Sequence, residues 1–139
     1  DLRAETKEGV LRELSEAIAV VMPSLSAEAV AAILMDRESL GSTGIGDGVA
    51  IPHGKFPGNT HPIISFGRSR KGLDFESMDG EPVFLFFLLV APENSASIHL
   101  KALAKIAKIL KNSAFRKVLI GAPGKKELYQ TIIQNDEDF

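Results

Sequence analysis

The stretch Val83-Phe84-Leu85-Phe86-Phe87-Leu88-Leu89-Val90 is apolar at every position, with turn residues on both sides, Met78-Asp79-Gly80-Glu81-Pro82 before it and Pro92-Glu93-Asn94-Ser95 after. A half-exposed strand would alternate in polarity, and eight residues make only about two helical turns, shorter than most helices. The run therefore predicts a strand covered on both faces, at the centre of a sheet.

The segments around it read as helices and shorter strands. Thr6 is placed to cap a helix, with Glu8 in its first turn and Val10, Leu11, Leu14, Ile18 and Val21 at helical spacing until Pro23. Ser26 caps a second helix, with Glu28 in its first turn and Ala29, Val30, Ile33 and Leu34 as the buried face up to about Glu38. Val49-Ala50-Ile51 reads as a short strand, 55–62 as a loop, Ile63-Ile64-Ser65-Phe66 as a strand and Leu73-Asp74-Phe75 as a half-exposed one. Past the apolar run, a helix is predicted over 97–111, with Leu100, Leu103, Ala107 and Leu110 on one stripe and Lys101, Lys105, Lys108 and Lys111 on the other. A shorter helix or turn over 115–120, a break at Gly121-Ala122-Pro123-Gly124, a final helix over 125–133 and an acidic tail over 135–139 complete the pattern. Helices at both ends, strands between them and unequal spacings predict an α/β fold, a mixed β-sheet flanked by helices in a three-layer α/β sandwich.

A chain of 139 residues suits one domain, 1–139, burying roughly two-thirds of its unfolded surface around one core. It opens at Asp1 without a methionine and enters a helical pattern within a few residues, so a native leading segment, and with it a first strand, is expected to be missing. A formal charge of −2 gives no footprint for nucleic acid or a membrane surface. The longest apolar run falls far short of the ~20 residues of a membrane-spanning helix, and no signal-peptide pattern opens the chain. The cytoplasm is the default expectation. With no cysteine, disulfides, thiolate chemistry and cysteine-ligated zinc are excluded.

Chemistry concentrates in Gly41-Ser42-Thr43-Gly44-Ile45-Gly46-Asp47-Gly48-Val49-Ala50-Ile51-Pro52-His53-Gly54-Lys55, where five of the first fourteen residues are glycine and the stretch ends on one imidazole. Pro52 fixes φ before His53 and Gly54 permits a turn after it, which predicts a rigid histidine at a strand end, within reach of solvent. A neutral imidazole held at one nitrogen is nucleophilic at the other, as a phosphoryl acceptor must be. The plain alternative is a structural histidine at a turn. His99, in the first turn of the lysine-striped helix, either covers a helix end or lies beside an anion attracted to the free N–H groups there. Arg37 is either solvated or a bidentate phosphate partner, and Ser42 and Thr43 either donate to phosphate oxygens or shape the turn. A metal site of His53, His61 and His99 fits no compact ligand spacing. The glycine spacing is also wrong for a nucleotide-binding loop.

Glu38, six residues, Ile45-Gly46, two more, then Val49-Ala50-Ile51-Pro52-His53-Gly54 resembles the phosphohistidine signature of enzyme IIA in the phosphoenolpyruvate-dependent sugar phosphotransferase system, in its fructose/mannitol/nitrogen-regulatory class. The resemblance continues through Gly80-Glu81-Pro82-Val83, the apolar strand, Ala91-Pro92, His99-Leu100 and Glu127-Leu128-Tyr129. It implies a phosphotransferase component whose His53 takes phosphate at Nε2 from phosphohistidine on the carrier HPr. His99 matches the second active-site histidine and Arg37 the neighbouring arginine. In sugar-transporting members the group passes to a cysteine on an enzyme IIB domain; in nitrogen-type members it serves as a signal to regulatory target proteins, and a docking regulator is the alternative function. No metal or nucleotide cofactor is implied. Delivery from another protein calls for a shallow patch around His53 with an apolar rim, for which Ile45 and Phe56 are the candidates.

Overall fold

A computed structural model of the chain describes residues 1–23, 25–56, 62–93, 96–127, 130 and 132. The elements are α1 (Lys7–Val21), α2 (Ala27–Ser39), β1 (Gly44–Gly46), β2 (Val49–Ala50), β3 (His53–Phe56), β4 (Ile63–Leu73), β5 (Val83–Pro92), α3 (Ala96–Leu110) and α4 (Ser113–Gly121). The Thr6 and Ser26 hydroxyls accept Gly9 N–H and Ala29 N–H at 3.1 and 3.0 Å, so the predicted caps close α1 and α2, each worth about 1 kcal/mol.

β5 is the centre of a five-stranded mixed sheet, antiparallel to β4 on one edge and parallel to β2 and β3 on the other, with β1 antiparallel to β2. Residues 85–91 of β5 are all buried. Phe86, Leu88 and Val90 face a cluster with Val10, Leu11, Leu14 and Ile18 of α1 and Val30 and Leu34 of α2. Leu85 and Phe87 face a second cluster with Ile106 and Leu110 of α3 and Phe115 and Leu119 of α4. Two helical layers thus cover both faces, which is why the run is uniformly apolar: each large side chain contributes roughly 1.5–3 kcal/mol on whichever side it falls.

Several predicted elements differ from those observed. β4 extends unbroken from Ile63 to Leu73, and Phe75 beyond it is fully buried rather than part of a half-exposed strand. The sequence Gly67-Arg68-Ser69-Arg70-Lys71 conceals this middle, because Arg68 is buried for a reason that lies elsewhere in the chain. Its guanidinium donates to the C=O of Leu119 (3.0 Å), Ile120 (3.4 Å) and Ala122 at the end of α4, and to Asp1 Oδ1 at 2.7 Å. In α3 the buried apolar positions among the described residues are Ile106 and Leu110, while Leu100 of the predicted stripe is 65% exposed. Of the predicted final helix, 125–127, 130 and 132 are helical; its other residues, the tail over 135–139 and His61 lie outside the described residues. No helix among the described residues is long and apolar enough to cross a membrane.

Candidate functional site

The glycine-rich window folds as the β1–β2 hairpin followed by an interrupted strand. Gly48 at the turn has φ 76°, a left-handed conformation that a Cβ disfavours, and its C=O accepts the N–H groups of both Phe84 and Leu85 (2.9 and 3.0 Å). β2 and β3 then lie end to end along β5 in one register: Val49 pairs with Leu85, Ala50 with Phe86 and His53 with Leu89. Pro52 lacks an N–H and interrupts the ladder, yet its C=O accepts Leu89 N–H at 2.8 Å and the chain continues straight on.

This corrects the predicted turn after His53 and the predicted loop over 55–62, whose first two residues belong to β3. Alternation within a strand then decides the fate of Phe56. His53 and Lys55 share one face; Gly54 and Phe56 share the other, where α2 packs so closely that a Cβ on Gly54 would stand 3.0 Å from Ile33 Cγ2. Phe56 is accordingly 1% exposed inside the α1/α2 core and cannot belong to a surface rim. Ile45, on the hairpin, is 48% exposed.

Three predicted site residues converge. His53 is half-buried, and its Nδ1 lies 2.8 Å from the C=O of Ile51, which accepts only if that nitrogen carries the proton. The lone pair therefore sits on Nε2. Arg37, in the last turn of α2, directs Nε–H at that nitrogen (3.4 Å) and is steadied by Nη1 donating to Gly41 C=O at 2.9 Å. The His99 ring, from the first turn of α3, stands nearly perpendicular to His53 with centroids 5.2 Å apart. Its Nδ1 is buried and has no hydrogen-bond partner among the described residues.

Burial, above all, holds the His53 pKa below the usual histidine value; the charge of Arg37 acts in the same direction, against the opposing pull of Ile51 C=O and Glu38. His99 is lowered too, by burial first and then by His53 and Lys55. Both rings are thus kept neutral near pH 7, the form in which Nε2 of His53 is a nucleophile.

The hydroxyls of Ser42 and Thr43 do not turn toward His53. Ser42 Oγ donates to Phe75 C=O (2.9 Å) and accepts Gly44 N–H (3.0 Å), while Thr43 Oγ1 donates to the carboxylate of Glu38. Their work is to shape the loop, the second of the two roles weighed from sequence, because their hydrogen-bonding capacity is already committed there. What residue-by-residue reading missed is Lys7, whose Nζ pairs with Glu38 at 2.9 Å. A lysine opening a helix carries no signal of such a partner. Among the described residues no group of three or more potential ligands is arranged to hold a metal.

An imidazole with its proton pinned at one nitrogen and a guanidinium aimed at the other, on the sheet of a three-layer α/β sandwich, fits the class of phosphoryl-transfer components. The family is the phosphoenolpyruvate-dependent sugar phosphotransferase system, EIIA 2, to which this chain belongs: the family model matches residues 1–135. The chain is 42% identical over 131 residues to a nitrogen regulatory protein of Bradyrhizobium diazoefficiens, covering 94% of this chain and 85% of that one. It is 36% identical over 137 residues to the fructose-specific EIIABC component of Bacillus subtilis, covering 99% of this chain and 22% of that much longer one. In structure it is similar to the nitrogen regulatory protein IIA-Ntr of Neisseria meningitidis (TM-score 0.85, 35% identity, covering 94% and 89% of the two chains). It shares the fold of enzyme IIA mannitol in a complex with phosphorylated enzyme IIB mannitol from Escherichia coli (TM-score 0.75, 20% identity, 96% and 91% covered).

Proposed function

We propose that this chain is a phosphoryl carrier of the phosphotransferase system, accepting phosphate on Nε2 of His53 from phosphohistidine on HPr and passing it to an enzyme IIB domain. The observation that carries the reading is the pair of contacts on one ring, Nδ1 to Ile51 C=O and Nε2 to Arg37 Nε. In the transfer, the Nε2 lone pair attacks phosphorus in line as the donor's N–P bond breaks, and that electron pair returns to the donor imidazole. His53 keeps its Nδ1 proton throughout. Little covalent assistance is needed, because positioning and dispersal of charge dominate phosphoryl transfer. Arg37 supplies the fixed charge as its N–H groups exchange Nε2 for the incoming oxygens. His99 packs at the edge of the His53 ring and serves as a further donor. Exposed Leu40, Ile45 and Leu100, on the elements that carry Arg37 and His99 and on the hairpin before His53, form the apolar surface for the partner.

The enzyme IIB partner is supported by the mannitol enzyme IIA–IIB complex, whose fold this chain shares. The relatives named nitrogen regulatory proteins favour a second output for the same phosphorylated residue, docking to regulatory target proteins. Both outputs require the acceptor step.

Incubation with phosphoenolpyruvate, enzyme I and HPr tests that step. The wild type is expected to take up one acid-labile phosphate and His53→Ala none. A His53→Ala protein that labels equally well would refute the site, and a labelled wild type that gives no phosphate to enzyme IIB domains would favour the regulatory output.

A further inference from the structure

Consecutive residues in the last turn of α2 point in different directions. Arg37 reaches His53, whereas Glu38 turns inward and is 7% exposed. The Glu38 carboxylate accepts the N–H of Thr43 (3.2 and 3.1 Å to its two oxygens) and the Thr43 hydroxyl, and pairs with Lys7 Nζ at 2.9 Å. The connection continues beyond Thr43. Its C=O accepts Ile51 N–H at 3.0 Å, and Ile51 C=O is the group that accepts Nδ1–H of His53. Arg37 holds the other end of the same loop through Gly41 C=O.

An ion pair that takes a carboxylate out of water is weak evidence for stability, since apolar residues of equal volume often serve at least as well; its presence calls for another reason. Here the pair ties α1 and α2 to the loop whose far side sets the nucleophile. We propose that the pair of buried Glu38 with partly buried Lys7 is a positioning device for phosphoryl transfer: through Thr43 it fixes the Ile51 carbonyl that keeps the proton of His53 on Nδ1. This rests on the carrier reading above. The Glu38 side chain, 3% exposed, cannot touch the donor protein, so its effect falls on turnover and not on docking.

The test is Glu38→Gln, which keeps shape and removes charge, together with Lys7→Met/Glu38→Gln, which leaves no buried charge unpaired if the single variant does not fold. Transfer from phospho-HPr is expected to slow about tenfold at unchanged KM, in the range for groups that orient a reacting side chain. Nitrogen-15 shifts of His53 in the unphosphorylated protein are expected to show the loss of a single Nδ1–H tautomer. A folded variant with the wild-type tautomer or the wild-type rate overturns the proposal, as does a slowing that lies entirely in KM or a failure of both variants to fold. The tautomer is read without any donor, so a wild type that accepts no phosphate counts against the carrier reading and is distinguished from failure of this one.

Discussion

Two guanidinium groups in this chain are put to opposite uses. Arg68, in the middle of β4, is 1% exposed and meets three carbonyl groups at the end of α4 and the carboxylate of Asp1. Arg37 is half-exposed, with one good bond to Gly41 C=O and a long contact to His53 Nε2. The first charge is consumed by the fold: it donates to carbonyls at the end of α4 and sits where the dipole favours a cation. The second keeps most of its donors unengaged beside the proposed phosphoryl acceptor. A buried guanidinium turned toward carbonyls of its own chain cannot reach charge that arrives later at the surface, so accessibility beside His53 is what distinguishes Arg37.

The largest effect expected from this contrast is on stability. Arg68→Ala removes a buried donor from the carbonyls at the end of α4, leaves Asp1 without its guanidinium partner there and opens a cavity at the junction of β4 and α4, and should cost about 3 kcal/mol, or roughly 10 °C in Tm. A Tm within a degree or two of wild type would remove the distinction. The smaller effect is on rate. Arg37→Ala should slow phosphate uptake from phospho-HPr by about 100-fold while changing stability by less than about 1 kcal/mol. Loss of cooperative melting in that variant would make both arginines structural.

Reading from sequence succeeded where local pattern and tertiary environment coincide. Uniform apolarity in β5 follows from helices on both faces, and the Thr6 and Ser26 caps act within one turn of their own residues. It failed where distant segments decide. Nothing near Arg68 announces the carbonyls of α4, so the strand that contains it read as two fragments. Phe56 suits an apolar rim by its proximity in sequence to His53, but the chain runs straight through Pro52 and His53 and alternation along β3 buries it. In the site, His53, Arg37 and His99 were legible and converge in space, because the first two stand in or beside one short motif and the third opens a helix. Ser42 and Thr43 were legible as polar loop residues but not as donors already engaged, and Lys7 was invisible because its partner lies on another helix.

Which nitrogen of His53 is free decides where phosphate can attach. Nitrogen-15 and phosphorus-31 spectra of the protein after incubation with phosphoenolpyruvate, enzyme I and HPr read this directly. The expected result is one phosphoramidate on Nε2 of His53 with the Nδ1 proton still in place. Phosphate on Nδ1, or on His99, would contradict it.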